Sequence, residues 1–358
     1  KHTNTSLDFV ERLNNLFEIT KKDFKDVFDQ DDKIRLSAIS LGFTVNKLQS
    51  ILLSDSSSDA KGLAFQKFLE HQEKGGRGQF FTPEPVIKFC VEMVQPKPDE
   101  YILDPACGSG GFLIASLNYL SKTYPNLHRD SFVSNNLFGI DINKSIARIA
   151  KMKLLLEANY QANILCANSL DDLDEIKLLV ANESKKNILE GFDVILTNPP
   201  FGTAGKITNT KTLSQYDLGH KWINNDFQFS KTTTLSNGTP AEILFIERCL
   251  QLLKEGGRLG IVLPNGHLEN SSLEYLRFYI KLKAKILAII NLPQETFIPY
   301  GTGVKTSIIF LEKDSDNKFT EYPVFFGKIS KPGYQGNKNG TTIYKKDKYG
   351  VLLKDDMG

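Results

Sequence analysis

The sequence predicts a doubly wound α/β fold with a mostly parallel sheet of seven strands and a helical unit at its N-terminal side. Three observations lead there. From Phe80 onward short apolar runs alternate with longer amphipathic segments, a glycine-rich turn follows the first of those runs, and an acidic residue closes the second.

Taken in chain order, residues 1–53 place apolar side chains at helical intervals (Leu7, Val10, Leu13 and Phe17, then Ile34 and Leu41, then Leu48, Ile51 and Leu52) among mixed charges, which predicts a small all-helical unit. Ser54 to Asp59 and Lys74 to Gly78 read as a linker or capping turn and a second break, so the helical region is taken as 1–75. Strands are expected at Tyr101 to Leu103, Leu137 to Ile140, Asn163 to Ala167, Phe192 to Thr197, Leu259 to Leu263, Ile286 to Asn291 and Thr306 to Leu311. Helices are expected between them, among them Ile146 to Leu156, Ala241 to Leu253 and Ser271 to Ile280. Leu292 to Lys305 shows no helical pattern, so the last two strands are expected to pair antiparallel. This sets a domain at 76–326 and a glycine-rich basic tail or tether at 327–358.

Composition narrows the class without naming a partner. With 41% apolar residues, 24 Phe and 12 Tyr, the chain can bury enough surface to offset the entropy of ordering, which excludes a collagen, a disulfide scaffold or a largely disordered chain. Its 44 basic and 42 acidic residues nearly cancel, so an anionic partner must be met by a local basic surface. Cys90, Cys107, Cys166 and Cys249 are widely separated and read as reduced thiols, and the five histidines form no ligand-spaced pair, so no metal is expected. No signal peptide or membrane span is apparent, and a cytoplasmic location is expected. The first residue is Lys rather than Met, so the chain is read as part of a longer protein.

The run Asp104-Pro105-Ala106-Cys107-Gly108-Ser109-Gly110-Gly111-Phe112 stands where an α/β sheet binds a nucleotide-like ligand, its glycines allowing a sharp turn and close approach of backbone N–H groups. A plain turn is the alternative. Leu113 occupies the place of the third glycine of a dinucleotide fingerprint, and no Gly-Lys-Ser/Thr follows, so neither phosphate-cradling motif is matched. Asp141, in Gly139-Ile140-Asp141-Ile142, can accept both hydroxyls of a ribose or can simply start a helix. A strand-end Asp104 with Asp141 suits a ligand carrying a cationic amino-acid end and a ribose, as S-adenosylmethionine does.

After the fourth expected strand comes Asn198-Pro199-Pro200-Phe201. The two prolines stiffen the turn, Asn198 and the Pro199 carbonyl offer two acceptors, and Phe201 offers a flat face, a set that holds a planar group with an exocyclic NH2; a loop terminator is the bland reading.

Gly78 to Pro83, Asp104 to Phe112, Gly139 to Asp141, Asn198 to Phe201, Gly256 to Gly266 and Leu292 to Ser307 occur in one order, and together they resemble the amino-methyltransferases with an Asn-Pro-Pro-aromatic motif, in particular the N6-adenine DNA methyltransferases of type I restriction-modification systems. The resemblance spans residues 78–311 and implies methyl transfer from S-adenosylmethionine to adenine N6 in DNA. It implies that Gln79, Phe81, Thr82 and Pro83 line the methionine end, with Thr82 as helix N-cap and Pro83 first in the helix. Asp104, Pro105, Ala106, Gly108, Ser109, Gly110 and Phe112 would then hold the amino acid, and Asp141 with Ile142 the ribose. Relatives place an Asp after the third strand where this chain has Asn168-Ser169, so Asn168 is either an uncharged adenine contact or a turn residue. Asn198, Pro199, Pro200 and Phe201 are the expected catalytic residues.

Residues 202–239 lack periodicity and read as a long loop. Lys206, Lys211, Lys221, Trp222 and Lys231, interleaved with Tyr216, Phe227 and Phe229, make it the expected DNA contact. The resemblance implies double-stranded DNA as partner, a separate specificity subunit or fused recognition domain, and a restriction subunit. A methyltransferase of cytosine N4, RNA guanine or protein glutamine, and a cofactor-binding assembly module without turnover, remain the alternatives.

Overall fold

The structure, a computed structural model, describes residues 2–24, 27–49, 82–158, 162–184, 190–201, 206–226, 228–300, 302–316, 321–336, 342–344, 351 and 353. In chain order the strands are β1 (Ile102–Asp104), β2 (Leu137–Asp141), β3 (Asn163–Cys166), β4 (Phe192–Thr197), β5 (Lys206–Ile207), β6 (His220–Asn225), β7 (Gln228–Leu235), β8 (Thr239–Pro240), β9 (Leu253–Pro264), β10 (Ala284–Asn291), β11 (Thr306–Lys313), β12 (Phe325–Lys328), β13 (Tyr334–Gly336) and β14 (Thr342–Tyr344). The helices are α1 (His2–Asp23), α2 (Ala38–Leu48), α3 (Glu84–Val94), α4 (Gly111–Thr123), α5 (Arg129–Asn136), α6 (Lys144–Ala158), α7 (Leu173–Ser184), α8 (Thr210–Leu213), α9 (Ala241–Leu252), α10 (Gly266–Glu269) and α11 (Glu274–Lys283).

All seven expected strands lie in one sheet, in the order β12-β10-β11-β9-β4-β1-β2-β3. Pairing is parallel from β3 through β2, β1 and β4 to β9, and β11 is antiparallel to both β9 and β10 as expected. Both faces are covered. On one, Ile102, Val194 and Leu196 pack with Val91, Leu113, Leu117 and Ala150 of α3, α4 and α6; on the other, Leu103, Ile195 and Ile261 pack with Ile176, Ile243, Ile246 and Ile280 of α7, α9 and α11. Adjacent residues of a strand point to opposite faces, so these continuous apolar runs fill two cores at once, each buried Leu or Ile contributing about 1.5–3 kcal/mol. No described helix is long and apolar enough to cross a membrane.

Three expectations are corrected. First, an eighth strand, β12, adds to the edge of the sheet parallel to β10, so the expected boundary at 326/327 falls inside a strand; Tyr334 beyond it is buried and donates to the Thr296 carbonyl. Second, residues 206–240 are not an irregular loop. β5 pairs with β8 to close the excursion, and β6 pairs with β7 as a hairpin whose short strands are polar on one side, which hides their alternation. Third, a 3-10 turn, Gln294–Tyr300, interrupts the β10–β11 connection, too short to leave a helical period.

The expected N-terminal helices are present as α1 and α2; Ser54 to Asp59 and Lys74 to Gly78 lie outside the described residues. The segment after α1 docks on α6, where Asp29 pairs with Lys144 at 2.8 Å and Arg148 at 2.6 Å, and Asp32 with Arg148 at 3.1 Å.

Candidate active site

The carboxyl ends of β4, β1, β2 and β3 lie side by side, and they carry Thr197 and Asn198, Asp104, Asp141, and Cys166 with Asn168. The registers Leu103↔Ile195, Asp104↔Gly139 and Asp141↔Cys166 bring these residues to one rim. The chain runs outward from β1 to β3 and then crosses back to β4 on the other side of β1, so the strand order reverses between β1 and β4, the place where open α/β sheets bind ligands.

The loop after β1 is held by its own backbone and by two carboxylates. Ala106 N–H donates to Asp104 at 3.1 Å, Cys107 N–H to the Ile140 carbonyl at 2.9 Å, Gly108 N–H to Asp141 at 3.0 Å and Gly110 N–H to the Cys107 carbonyl at 2.8 Å. These amides are therefore engaged within the chain, where the sequence had offered them to a ligand. Gly108 (φ +52°) and Gly110 (φ +81°) take left-handed conformations, Gly110 as the cap of α4, which side chains adopt at a cost. A Cβ at Gly108 would meet nothing within 4 Å, so open space adjoins the loop there. Ser109 is half-buried beside it.

Asp104 is 1% exposed. Burial pushes its carboxyl up to about 7, the Thr197 hydroxyl and the Ala106 N–H pull it down, and the Asp141 charge adds to the rise. Asp141 accepts Asn143 N–H at 2.8 Å as well as Gly108 N–H, and burial raises its carboxyl too. Each of its oxygens keeps a lone pair, so the Asp141 carboxylate braces the loop and still has acceptors for two hydroxyls. Ile142, 70% exposed, follows it as an apolar shelf.

Several expected ligand contacts are engaged otherwise. Thr82 does not cap α3: Pro83 is the N-cap, its carbonyl accepting from Val86 and Ile87, and Pro85 rather than Pro83 sits in the first turn. A Pro at the cap position already has the extended backbone the cap requires, which displaces the Thr by one residue. Phe112 is 3% exposed and packs in the core at the start of α4. Asn168 forms a local turn, accepting Leu170 N–H at 3.2 Å and donating to Asp171 at 2.8 Å, so both ends of its amide are engaged. Ser169 is buried and donates to the Pro105 carbonyl at 2.5 Å, tying that turn to the glycine loop. Gln79 and Phe81 lie outside the described residues.

At the end of β4, Pro199 is buried and Pro200 exposed. The Asn198 side-chain oxygen is buried and accepts no hydrogen bond among the described residues. A buried acceptor left unmatched costs about 1–3 kcal/mol, and at this rim a donor from a ligand would satisfy it. Phe201 is 8% exposed and stands edge-on to Phe297, ring centroids 6.1 Å apart at 88°. Phe297, fully buried in the core, thus backs the Phe201 ring from behind.

The excursion rooted beyond Phe201 is fastened by Tyr216, expected as a loop aromatic but 1% exposed, and by two buried residues of α9 that sequence reading missed, Glu247 and Arg248. Glu247, pushed up to about 7 by burial, accepts Asp217 and Leu218 N–H at 2.8 Å each. Arg248 donates to the Tyr216 hydroxyl at 2.8 Å and to the Asp171 carbonyl at 2.6 Å, and Tyr216 donates to the Leu170 carbonyl at 3.0 Å. No isolated motif marks them, because charged residues inside an apolar helix such as α9 read as a solvated stripe. Of the expected DNA contacts, Lys206, Lys211 and Lys221 are exposed, but Lys231 pairs with Asp217 and Trp222 stacks on Tyr275 at 6.1 Å with its N–H on the Asp217 carbonyl. Tyr216 is core and Phe229 packs on Phe278; Phe227 lies outside the described residues.

Comparison with known proteins bears on this site. The family model described as N-6 DNA Methylase matches residues 55–349. The type I restriction enzyme EcoEI methylase subunit of Escherichia coli is 28% identical over 78% of this chain and 52% of its own length. The type I restriction enzyme MpnII methylase subunit of Mycoplasma pneumoniae is 28% identical over 86% of this chain and 55% of its own. The chain thus spans about half the length of these relatives. Among solved structures, the type I restriction-modification system methyltransferase subunit from Streptococcus thermophilus superposes with a TM-score of 0.65 at 20% identity, covering 94% of this chain and 65% of that one, which shows the shared fold.

Proposed function

The chain belongs to the N-6 DNA methylase family, and from that premise we propose that it transfers a methyl group from S-adenosylmethionine to the N6 amino group of adenine in DNA, as the modification component of a restriction-modification system in the cytoplasm. The observation that carries this reading is the buried, unmatched oxygen of Asn198 at the switch point of the sheet.

The residues present fit the cofactor. Open space borders Gly108, a buried carboxyl at Asp104 can receive a cationic amino group, and Asp141 has acceptors left for a ribose. When bound, S-adenosylmethionine supplies an electrophilic methyl group on a sulfonium. The chain's own task is then to prepare the amino nitrogen. The Asn198 oxygen and the Pro199 carbonyl accept the two N6–H bonds, which draws the lone pair out of the ring and stabilises positive charge developing on nitrogen. A proton is released to solvent once nitrogen is alkylated, so no dedicated base is needed. Reaching N6 requires the base to leave the duplex stack at a cost of a few kcal/mol, and stacking on Phe201 offsets about 1–3 kcal/mol of it. Lys206, Lys211 and Lys221, exposed on the excursion after Phe201, supply phosphate contacts.

A specificity subunit or fused recognition domain, and a restriction subunit, complete the proposed assembly. The test is mass-spectrometric identification of the base modified in unmethylated genomic DNA. N6-methyladenine supports the reading; label transferred instead to cytosine, RNA or protein overturns it in favour of another amino-methyltransferase, and cofactor binding without turnover leaves an assembly module.

A further inference from the structure

The β6–β7 hairpin has two unlike faces. Opposed residues of an antiparallel pair share a side, so Trp222 with Lys231 and Asn224 with Phe229 form one face, and Ile223 with Ser230 and Asn225 with Gln228 form the other. The first face is fastened to the body. Trp222 stacks on Tyr275 and meets Tyr279 edge-on, Phe229 packs on Phe278, and Lys231 pairs with Asp217, whose own N–H is held by buried Glu247. The second face points to solvent: Lys221, Ile223 (49% exposed), Asn225, Gln228 and Ser230 are all exposed, and none of them is acidic. The nearest acid, Asp226, sits in the turn at φ +51°.

We propose that this outward face, Lys221, Ile223, Asn225, Gln228 and Ser230, is a docking surface for duplex DNA. The hairpin belongs to an excursion that leaves the sheet just beyond Phe201 and is closed by β5 with β8, so it is rooted at the same rim as Asn198. A two-stranded ribbon fits a major groove, side-chain amides pair with base edges and phosphates, and a face that carries Lys221 and no carboxylate is electrostatically suited to a polyanion. Bracing by three ring contacts sets the ribbon before DNA arrives, which lowers the ordering cost of association. Trp222 and Lys231 therefore act by holding the ribbon, and its other side makes the contact. This rests on the reading that the substrate base is drawn from duplex DNA.

The experiment titrates the chain into a fluorescein-labelled DNA duplex by anisotropy, with S-adenosylmethionine affinity measured in parallel by calorimetry. Gln228→Glu is expected to weaken DNA binding about tenfold and Gln228→Lys to tighten it several-fold, and Lys221→Ala to lower the salt slope by about 1, all with cofactor affinity and melting temperature unchanged. DNA affinity that is the same in both Gln228 variants and in the wild-type chain overturns the proposal, also if the face proves to hold a protein subunit. Failure of the underlying reading appears separately, as absence of methyl transfer to DNA by the wild-type chain assembled with its recognition subunit or domain.

Discussion

Asp104→Asn separates what the rim does for binding from what it does for folding. The wild-type carboxyl, 1% exposed and pushed up to about 7, keeps its proton across the range where the unfolded chain, at 3.8, has lost it. The folded state then binds more protons than the unfolded one, so this residue's contribution to stability is full below about pH 4 and is lost as pH rises towards 7. At about 1.4 kcal/mol per pH unit, ionisation above pH 7 costs the fold up to about 4 kcal/mol, of which about 2–3 kcal/mol falls between pH 5 and pH 8. Asparagine keeps an oxygen for the Ala106 N–H at 3.1 Å and has nothing to ionise. Urea unfolding at both pH values is therefore expected to find the variant gaining about 2–3 kcal/mol on the wild type from pH 5 to pH 8 while losing affinity for S-adenosylmethionine, a case of stability exchanged against function. An equal stability difference at the two pH values would refute the assignment of a buried, protonated Asp104, and unchanged cofactor affinity would remove it from the site.

Phe201→Leu keeps most of the buried volume against Phe297 and removes the aromatic face; KM for DNA is expected to rise about tenfold with cofactor affinity unchanged, as loss of base stacking requires, and loss of cofactor affinity alone would contradict it. Cys166 is exposed beside Asp141 while Cys90, Cys107 and Cys249 are buried with thiols raised by burial. Alkylation followed by mass spectrometry is thus expected to modify Cys166 alone, more slowly when S-adenosylmethionine is present, and equal rates would place the adenosine elsewhere. Tyr216→Phe leaves the buried Arg248 guanidinium without its phenol partner and should lower stability by about 1–3 kcal/mol in urea unfolding, a neutral result showing that the contact is not needed.

The sheet could be read from residue order because its strands are continuous apolar runs closed by turn residues, and strand ends such as Asp104, Asp141 and Asn198 inherit their place from that pattern. The hairpin at 220–235 could not, because a ribbon half in water alternates polar with polar: Lys221, Asn224, Ser230 and Thr233 carry no apolar period. The edge strand Phe325–Lys328 was likewise hidden, its two phenylalanines being exposed at 61% and 72% and its neighbours lysine and glycine. Within the site, residue type pointed to Asp141 and Asn198, but sequence cannot show which hydrogen bonds a group already makes. Asn168 thus also makes a local turn, and Phe112 also packs in the core at the start of α4.

The most direct measurement is single-turnover methyl transfer to duplex DNA by Asn198→Ala, together with its affinity for S-adenosylmethionine. Removing the unmatched oxygen is expected to slow transfer at least about a hundredfold while the cofactor binds as tightly as before and the chain melts no earlier. Transfer at the wild-type rate, or a loss accounted for wholly by weaker cofactor binding, would contradict a role for Asn198 in holding the amino group.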